Sequence, residues 1–243
     1  MNEWLLAAGA GLIAGGALFV GALLAWFADV PPKLVASVMA FGAGVLISAL
    51  AFDLVQESLD ESGMAPTFIG FAVGALVYVG INQFLNYRNA RNRRGSGEAP
   101  GTGTGIAIGA LLDGIPESMV LGLSMLGGHG VSIPILTAVV ISNFPEGLSS
   151  TAELKAAGAK PRFVFVLWGS IAIAAALASL IGFTILADAS TQTTGFITSL
   201  AAGAMLAMIC DTMIPDAWSK AHNYTGLLAT LGFLTSLIIH ELA

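Results

Sequence analysis

The sequence contains two related motifs in which a proline precedes a glutamate: Asp113-Gly114-Ile115-Pro116-Glu117-Ser118 and Ser142-Asn143-Phe144-Pro145-Glu146-Gly147. In a helix, Asp113 and Glu117 share one face because they are four residues apart. Ser142 and Asn143 share a face with Glu146 for the same reason, at spacings of four and three residues. The proline of each motif lacks a backbone donor, so it frees a carbonyl oxygen about one turn earlier.

These groups supply the chemistry of a cation site. Carboxylate, amide, hydroxyl and carbonyl oxygens are hard ligands, and two or more carboxylates neutralise an ion of charge +2. Asp113, Glu117 and Glu146 are the charged candidates, and Ser142 and Asn143 are the neutral ones. The same carboxylates could instead relay protons, because a buried glutamate can hold a proton and binds metal only after it has lost that proton.

The composition places these carboxylates inside a membrane protein. Of 243 residues, 56% are apolar and 10% are charged, whereas an ordinary soluble domain has about 25% charged residues. The net charge of −6 excludes a basic nucleic-acid-binding protein, and the apolar content excludes a disordered chain. The single cysteine excludes a disulfide framework and a multi-thiolate metal site. Phosphate-binding loops, nucleophile triads and nucleotide fingerprints are missing, so we expect no ATP-driven pumping by this chain. We expect no enzyme, and no cofactor apart from the divalent metal ion that the carboxylates would bind.

Eight apolar stretches are long enough to cross a bilayer as helices, since about 20 residues are needed. The apolar residues do not alternate with polar ones as in a barrel strand, so we expect an all-α membrane protein in contact with the lipid bilayer. The predicted spans 1 to 8 cover residues at about 4–28, 33–57, 66–86, 103–126, 134–153, 163–187, 195–216 and 224–242.

The basic residues predict how the spans are oriented. By the positive-inside rule, the side that carries them is cytoplasmic, which places both termini outside. We treat residues 1–243 as a single transmembrane transporter domain, in which the polar, glycine-rich segment at about 87–102 forms a cytoplasmic loop. All nine basic residues lie in connections on this one side: Lys33, Arg88, Arg91, Arg93, Arg94, Lys155, Lys160, Arg162 and Lys220.

Two internal repeats indicate an inverted architecture. Residues 42–58 in span 2 align without gaps with residues 201–217 in span 7. The two proline-glutamate motifs, in spans 4 and 5, also align position by position, with Pro116 opposite Pro145. In both pairs the spans run in opposite directions, which is typical of the inverted repeats of secondary transporters.

Two further acidic pairs lie near span ends. Asp53 and Glu57 are four residues apart near the outer end of span 2, and Asp211 and Asp216 lie near the inner end of span 7. One hypothesis is that the first pair attracts cations at the entrance and the second receives them at the exit. The alternative is that all four are helix-end carboxylates in headgroup water, with no role in transport.

At the two central motifs the sequence resembles the ZIP (Zrt/Irt-like) family of divalent metal transporters, especially its prokaryotic branch. Residues 143–147 (Asn-Phe-Pro-Glu-Gly) are close to the family pattern, whereas 113–118 have diverged from the family's His-Asn-x-Pro-Glu-Gly. The ends of span 2 (52–58) and span 7 (213–217) resemble the family's Leu-Pro-Glu-Ala segments. The resemblance covers nearly the whole chain.

The resemblance implies a 3+2+3 inverted-repeat bundle of eight helices that moves metal toward the cytoplasm. Carried over by position, Glu117 and Glu146 become metal ligands. Asp113 stands where the family has a histidine ligand, Ser142 where it has glutamine or histidine, and Asn143 at an auxiliary metal position. The resemblance also implies the inner cell membrane as the location and a homodimer as the assembly.

Three departures from the family pattern change the expected site. No histidine lies in either motif, Gly114 replaces an asparagine, and residues 168–172 of span 6 supply no glutamate. We therefore expect one metal site rather than two, with oxygen ligands that leave zinc, manganese and iron(II) as candidate ions. Two other functions stay open, namely a proton or monovalent-cation pathway and a non-transporting scaffold or sensor derived from a transporter.

Overall fold

The computed structural model describes residues 3–96, 103–126 and 130–242, with side chains described in these ranges except at 86, 88–96, 103–108 and 112–113. The described residues form helices joined by short turns, with no β-strand among them. The α-helices are α1 (Glu3–Phe27), α2 (Pro32–Ala49), α3 (Gln56–Ser62), α4 (Met64–Ser96), α5 (Gly103–Leu123), α6 (Ile133–Ala156), α7 (Pro161–Ile185), α8 (Thr191–Met208), α9 (Ile214–Ala221) and α10 (Thr225–Leu242).

Two of the helix junctions are continuous. A π-helical segment at Leu50–Val55 joins α2 to α3, and a second one at Ile209–Met213 joins α8 to α9. A 3-10 turn at His222–Tyr224 precedes α10. In a π-helical turn the backbone bond reaches one residue further than in an α-helix, and such turns are frequent at functional sites.

Local sequence explains where several helices begin and end. Proline stands in the first turn of α2, α6 and α7, where its missing N–H removes no helical bond. Ser132 and Ser190 cap α6 and α8, because their side-chain oxygens accept the backbone N–H of Ile135 and Thr193. Gly63 adopts a φ of 78° and separates α3 from α4.

The helices cover the predicted spans, with one marked difference at a helix end. α4 continues to Ser96, so the first part of the predicted cytoplasmic loop at about 87–102 is helical. The reason is local, because neither proline nor glycine interrupts the chain between Gly80 and Gly95. Residues 97–102 of that loop lie outside the described ranges.

Not every helix is apolar enough to be recognised as a membrane span by composition. α6 carries polar residues of the second motif, which lower its hydropathy. The chain is an all-α protein with several membrane spans, whereas the count of eight is a prediction. Within the described residues, five stretches are long and apolar enough to cross a membrane: Glu3–Phe27, Pro32–Ser62, Met64–Leu85, Pro161–Ile185 and Thr191–Leu242.

The helices pack as two groups. In the first group α1 contacts α5, α6 and α7, and in the second α2 contacts α10 while α4 contacts α8. The two groups meet chiefly where α2 packs on α6 and where α5 packs on α8. The proline-glutamate motifs of α5 and α6 therefore lie on the helices that form this boundary.

Glycines set the closest helix contacts of the second group. A Cβ on Gly44 of α2 would overlap the carbonyl oxygen of Ala229 in α10, and a Cβ on Gly203 of α8 would overlap that of Phe71 in α4. Gly44 aligns with Gly203 at the offset of 159 residues that relates 42–58 to 201–217. The residues that they contact, Ala229 and Phe71, are related by an offset of 158 residues. The α2–α10 and α8–α4 contacts therefore both depend on a glycine of the aligned ranges. The two π-helical segments also begin at aligned positions.

The first group shows a related pair of contacts with a different alignment. Gly147 of α6 lies against the carbonyl of Leu18 in α1, and Gly122 of α5 lies against the carbonyl of Ser179 in α7. The two helices can be aligned by these contacts, with Gly122 opposite Gly147. In that alignment the proline and glutamate of one motif lie one helical turn away from those of the other. The two motifs therefore occupy different heights relative to the helix packing.

Replacing Gly232 with alanine is expected to destabilise the protein. A Cβ there would overlap the carbonyl oxygen of Phe41 in α2, and such overpacking costs about 1–3 kcal/mol. Gly226 lies in the same helix with no described atom within 4 Å of an added Cβ, so Gly226→Ala is the matched control. Thermal unfolding in detergent measures both variants, and equal melting temperatures would contradict the close contact.

Candidate functional site

Two polar side chains of the second motif, those of Ser142 and Asn143, are buried on α6, whereas that of Glu146 is partly exposed. Ser142 and Asn143 are 1% and 2% exposed. Ser142 Oγ donates to the carbonyl oxygen of Val139 in its own helix at 2.9 Å, and Asn143 Nδ2 donates to that of Ala14 in α1 at 3.0 Å. The amide nitrogen of Asn143 thus holds α6 against α1, which makes the amide oxygen the atom that could ligate a cation.

The proline of the same motif coincides with a close approach of α2. Pro145 lies inside α6, which continues on both sides of it, so the carbonyl of Ile141 has no helical donor. A Cβ on Gly42 of α2 would lie 3.3 Å from this carbonyl oxygen and 3.1 Å from Ser142 Cα. The missing side chain at Gly42 therefore lets α2 approach the motif.

The first motif has two side chains that are buried to the same extent. Glu117 and Ser118 of α5 are each 1% exposed, and burying a carboxylate costs several kcal/mol unless other groups compensate. Gly114 is also buried, yet an added Cβ would meet no described atom within 4 Å. Among the described atoms outside its own helix turn, none fills the position where the family pattern has an asparagine. The side chain of Asp113 lies outside the described part of the structure.

Glu146 opens on a cavity of about 150 Å³ between the two helix groups. The lining residues include Met39 of α2, Ala110 of α5 and Asp216 of α9. The cavity thus brings together Glu146, a predicted central ligand, and Asp216, a predicted exit residue. The other predicted exit residue, Asp211, is exposed in the second π-helical segment and does not line this cavity.

A larger cavity of about 470 Å³ holds the predicted entrance pair. Asp53 and Glu57 line it together with Asp60, Glu61 and His240 of α10. Nδ1 of His240 lies 2.7 Å from Asp53 Oδ1. From its sequence position, His240 is interpreted as an interfacial residue near the predicted outer end of span 8, the same end as Asp53. The sequence does not predict its contact with Asp53.

The two cavities lie at opposite ends of the helix bundle. The smaller cavity is lined by Ala110 near the start of α5 and the larger one by Ser124 just after its end, about 20 Å along the helix axis. On α6 the order is reversed, since Ile135 lines the larger cavity and Glu146 the smaller one. The buried residues of the two motifs lie between the cavities.

The described side chains do not form a complete metal centre. Among them, no group of three or more histidine, cysteine, aspartate or glutamate residues could hold a metal ion. A central site built from Asp113, Glu117 and Glu146 stays a prediction, because the side chain of Asp113 is outside the described part.

Among the proteins that are similar to this chain are several named as zinc transporters. The chain is 29% identical over 206 residues to a protein of Arabidopsis thaliana named "Putative zinc transporter", an alignment covering 83% of this chain and 33% of that protein. It is 26% identical over 216 residues to zinc transporter ZupT of Salmonella paratyphi A and of Salmonella newport, covering 85% of this chain and 84% of each relative. The chain is a homologue of the ZIP-family metal transporters.

The resemblance predicted from the two motifs is thereby confirmed. No model of a known protein family matches the chain, and the ZIP homologue spans about a third of the length of the Arabidopsis relative. Its relatives belong to a family of transporters rather than enzymes. Together with the apolar helices they make this ZIP homologue a multi-pass membrane protein.

Replacing Asn143 with aspartate is expected to destabilise the protein more than replacing it with alanine. The aspartate variant sets a carboxylate against the acceptor oxygen of Ala14 in a buried position. A buried polar group that loses its hydrogen-bond partner destabilises the folded protein by about 1–3 kcal/mol, and a charged group by more. Thermal unfolding of both variants at neutral pH provides the comparison. An aspartate variant as stable as the wild type would show that this amide does not hold α1.

Proposed function

We propose that this ZIP homologue transports a divalent transition-metal cation, namely zinc, manganese or iron(II), toward the cytoplasm. Glu117 and Glu146 are the principal ligands, Asp113 is the third, and Ser142 and Asn143 contribute neutral oxygens. The observation that carries the proposal is the position of Glu146, which links the buried layer of motif residues to a cavity at one end of the bundle. The similarity to zinc transporters supports the class of substrate.

In this proposal the chain crosses the inner cell membrane eight times, as an inverted repeat with both termini outside, and assembles as a homodimer. The recurrence of glycine contacts and π-helical segments at corresponding positions of the two sequence copies supports the repeat. With this orientation, the cavity at Glu146 opens toward the cytoplasm and the acidic cavity at Asp53 opens outward.

The route of the cation follows the boundary between the two helix groups. The outer cavity is lined by four carboxylates, so it attracts cations before they reach the motifs. The buried layer at Glu117 and Asn143 separates this cavity from the one at Glu146. Passage therefore requires a rearrangement where α2 meets α6 or where α5 meets α8, the contacts that join the groups.

A proton or monovalent-cation pathway is the second candidate function. The observation in its favour is that Glu117 is 1% exposed and lies between the two cavities, where a single carboxyl group could pass protons from one to the other. Buried carboxylates can carry protons singly, because each proton needs only one oxygen at a time.

Metal uptake into proteoliposomes tests the central ligands. Wild-type protein is expected to take up zinc, manganese or iron(II), and the combined change Glu117→Ala and Glu146→Ala is expected to abolish uptake. Changing even the hydrogen-bond partners of metal ligands costs about 10–100-fold, so the loss should be at least of that size. Glu153→Gln, an exposed position on α6, is the control and should transport normally.

Each other outcome of this assay has a definite meaning. Equal uptake by the wild type and the double variant would refute the central site. Carboxylate-dependent proton flux without metal uptake would favour the proton pathway. No flux of either kind would favour a scaffold.

The inverted repeat predicts that two corresponding exposed positions face opposite sides of the membrane. Asp60 and Ser219 stand at matching positions just after the aligned residues 42–58 and 201–217, and both are exposed. In a Cys210→Ser background, Asp60→Cys should react with a membrane-impermeant maleimide from outside, and Ser219→Cys only from the cytoplasmic side. Labelling of intact cells and of inverted vesicles measures this. Reaction of both cysteines from the same side would contradict the inversion.

A further inference from the structure

His240 and Asp53 form a polar pair at the larger cavity. The Nδ1–H of His240 donates to Asp53 Oδ1 at 2.7 Å, between residues that are 187 positions apart in the chain. The side chain of Asp53 is only 10% exposed, and that of His240 is 35% exposed. The second carboxylate oxygen, Asp53 Oδ2, is buried and accepts no hydrogen bond from a described residue. Because a buried carboxylate oxygen without a donor is costly, a positive partner is favoured there.

The surroundings of this pair fix its orientation. Asp53 lies in the first π-helical segment. The ring of Phe52 lies 6.1 Å from the imidazole of His240 and 5.9 Å from the ring of Phe233, both on α10. The close contact of Gly44 with α10 sets the position of that helix against α2. The imidazole is therefore held by ring packing as well as by its hydrogen bond.

We propose that Asp53 and Glu57 form a capture site for a divalent metal cation at the larger cavity, with His240 as its positioning residue. His240 occupies Oδ1 of Asp53 and leaves Oδ2 to ligate the cation. Glu57 lines the same cavity and supplies the second carboxylate, while Asp60 and Glu61 add negative charge that raises the local cation concentration. This inference rests on the proposed function. It assigns a role to each of these residues at the outer cavity, where the cation enters.

The chemistry of the capture site makes binding weak. Asp53 and Glu57 supply only part of the oxygen coordination that a divalent cation takes, so neutral oxygens of the cavity or water molecules complete it. Water ligands exchange readily, and an ion held by two carboxylates can leave for the buried motifs. A capture site needs this property, because tight binding at the entrance would stop transport there.

The two copies of the repeat differ at this pair. Asp53 aligns with Thr212, and His240 corresponds to Asn82 by the same offset that relates Ala229 to Phe71. The hydroxyl of Thr212 donates to the carbonyl oxygen of the residue one turn earlier in its own helix at 2.8 Å. One end of the bundle therefore has an acid and an imidazole where the other has two neutral side chains. This asymmetry suits capture at the first end and release at the second.

Zinc uptake kinetics test the role of His240. His240→Leu removes the donor, and we expect KM to rise about tenfold, the equivalent of one charge-assisted hydrogen bond, with an unchanged maximal rate. His240→Gln restores an N–H donor and should recover most of the affinity. His222→Gln, at an exposed residue before α10, is the control and should behave as wild type. A lower maximal rate with unchanged KM would overturn the proposal, because a purely structural role predicts that pattern.

A binding measurement separates the capture site from transport. The protein carries ¹⁵N-labelled histidine rings and the changes Glu117→Gln and Glu146→Gln, which remove the central ligands. Manganese(II) should broaden the ring resonances of His240, assigned by their loss in His240→Gln, and Asp53→Asn should prevent the broadening. Broadening that is missing, or that persists in Asp53→Asn, would overturn the capture site. Broadening in a protein whose wild type takes up no metal would refute the proposed function and leave the capture site standing.

Discussion

The cost of keeping carboxylates among apolar helices is the constraint on which the rest of this structure depends. An ionised group removed from water loses several kcal/mol of solvation unless neighbouring groups compensate. Glu117 is almost fully buried, and Asp53 keeps only a tenth of its side chain exposed. Both sit where helices from different parts of the chain meet, so each carboxylate stays in place only if the surrounding helices pack in one register.

Glycine provides that register. Where Gly44, Gly203 and Gly232 lie, the backbones approach so closely that a single added carbon would overlap a carbonyl oxygen. Contacts of this kind are typical of membrane helices. In lipid, helix association is driven by the close packing of small residues rather than by the hydrophobic effect. Because backbone is packed against backbone, a shift of one helix by one residue would separate every such pair. The position of His240 relative to Asp53 follows from this locking of α10 on α2.

Much of this arrangement could be predicted from the sequence, because it depends on local composition. The apolar stretches indicated helices, and the two proline-glutamate motifs indicated both the transporter family and the polar centre. The π-helical segments could not be predicted, since neither proline nor glycine marks their first residues. The hydrogen bonds of Asn143 to Ala14 and of His240 to Asp53 join distant parts of the chain. Such pairs depend on helix register, which periodicity alone does not determine.

The difference between the motif alignment and the packing alignment explains why the two glutamates differ in exposure. The motifs pair Glu117 with Glu146, but the glycine contacts relate α5 to α6 by an offset that is one helical turn shorter. In the packing alignment, Glu117 corresponds to Ser142 and Glu146 corresponds to Leu121. Ser142 is buried like Glu117, whereas Glu146 has moved one turn along α6, away from that buried layer and into the cavity. A perfectly symmetric pair would bury both carboxylates at one depth. The one-turn displacement instead places them at two depths along the axis of the bundle, Glu117 in the buried layer and Glu146 at the cavity.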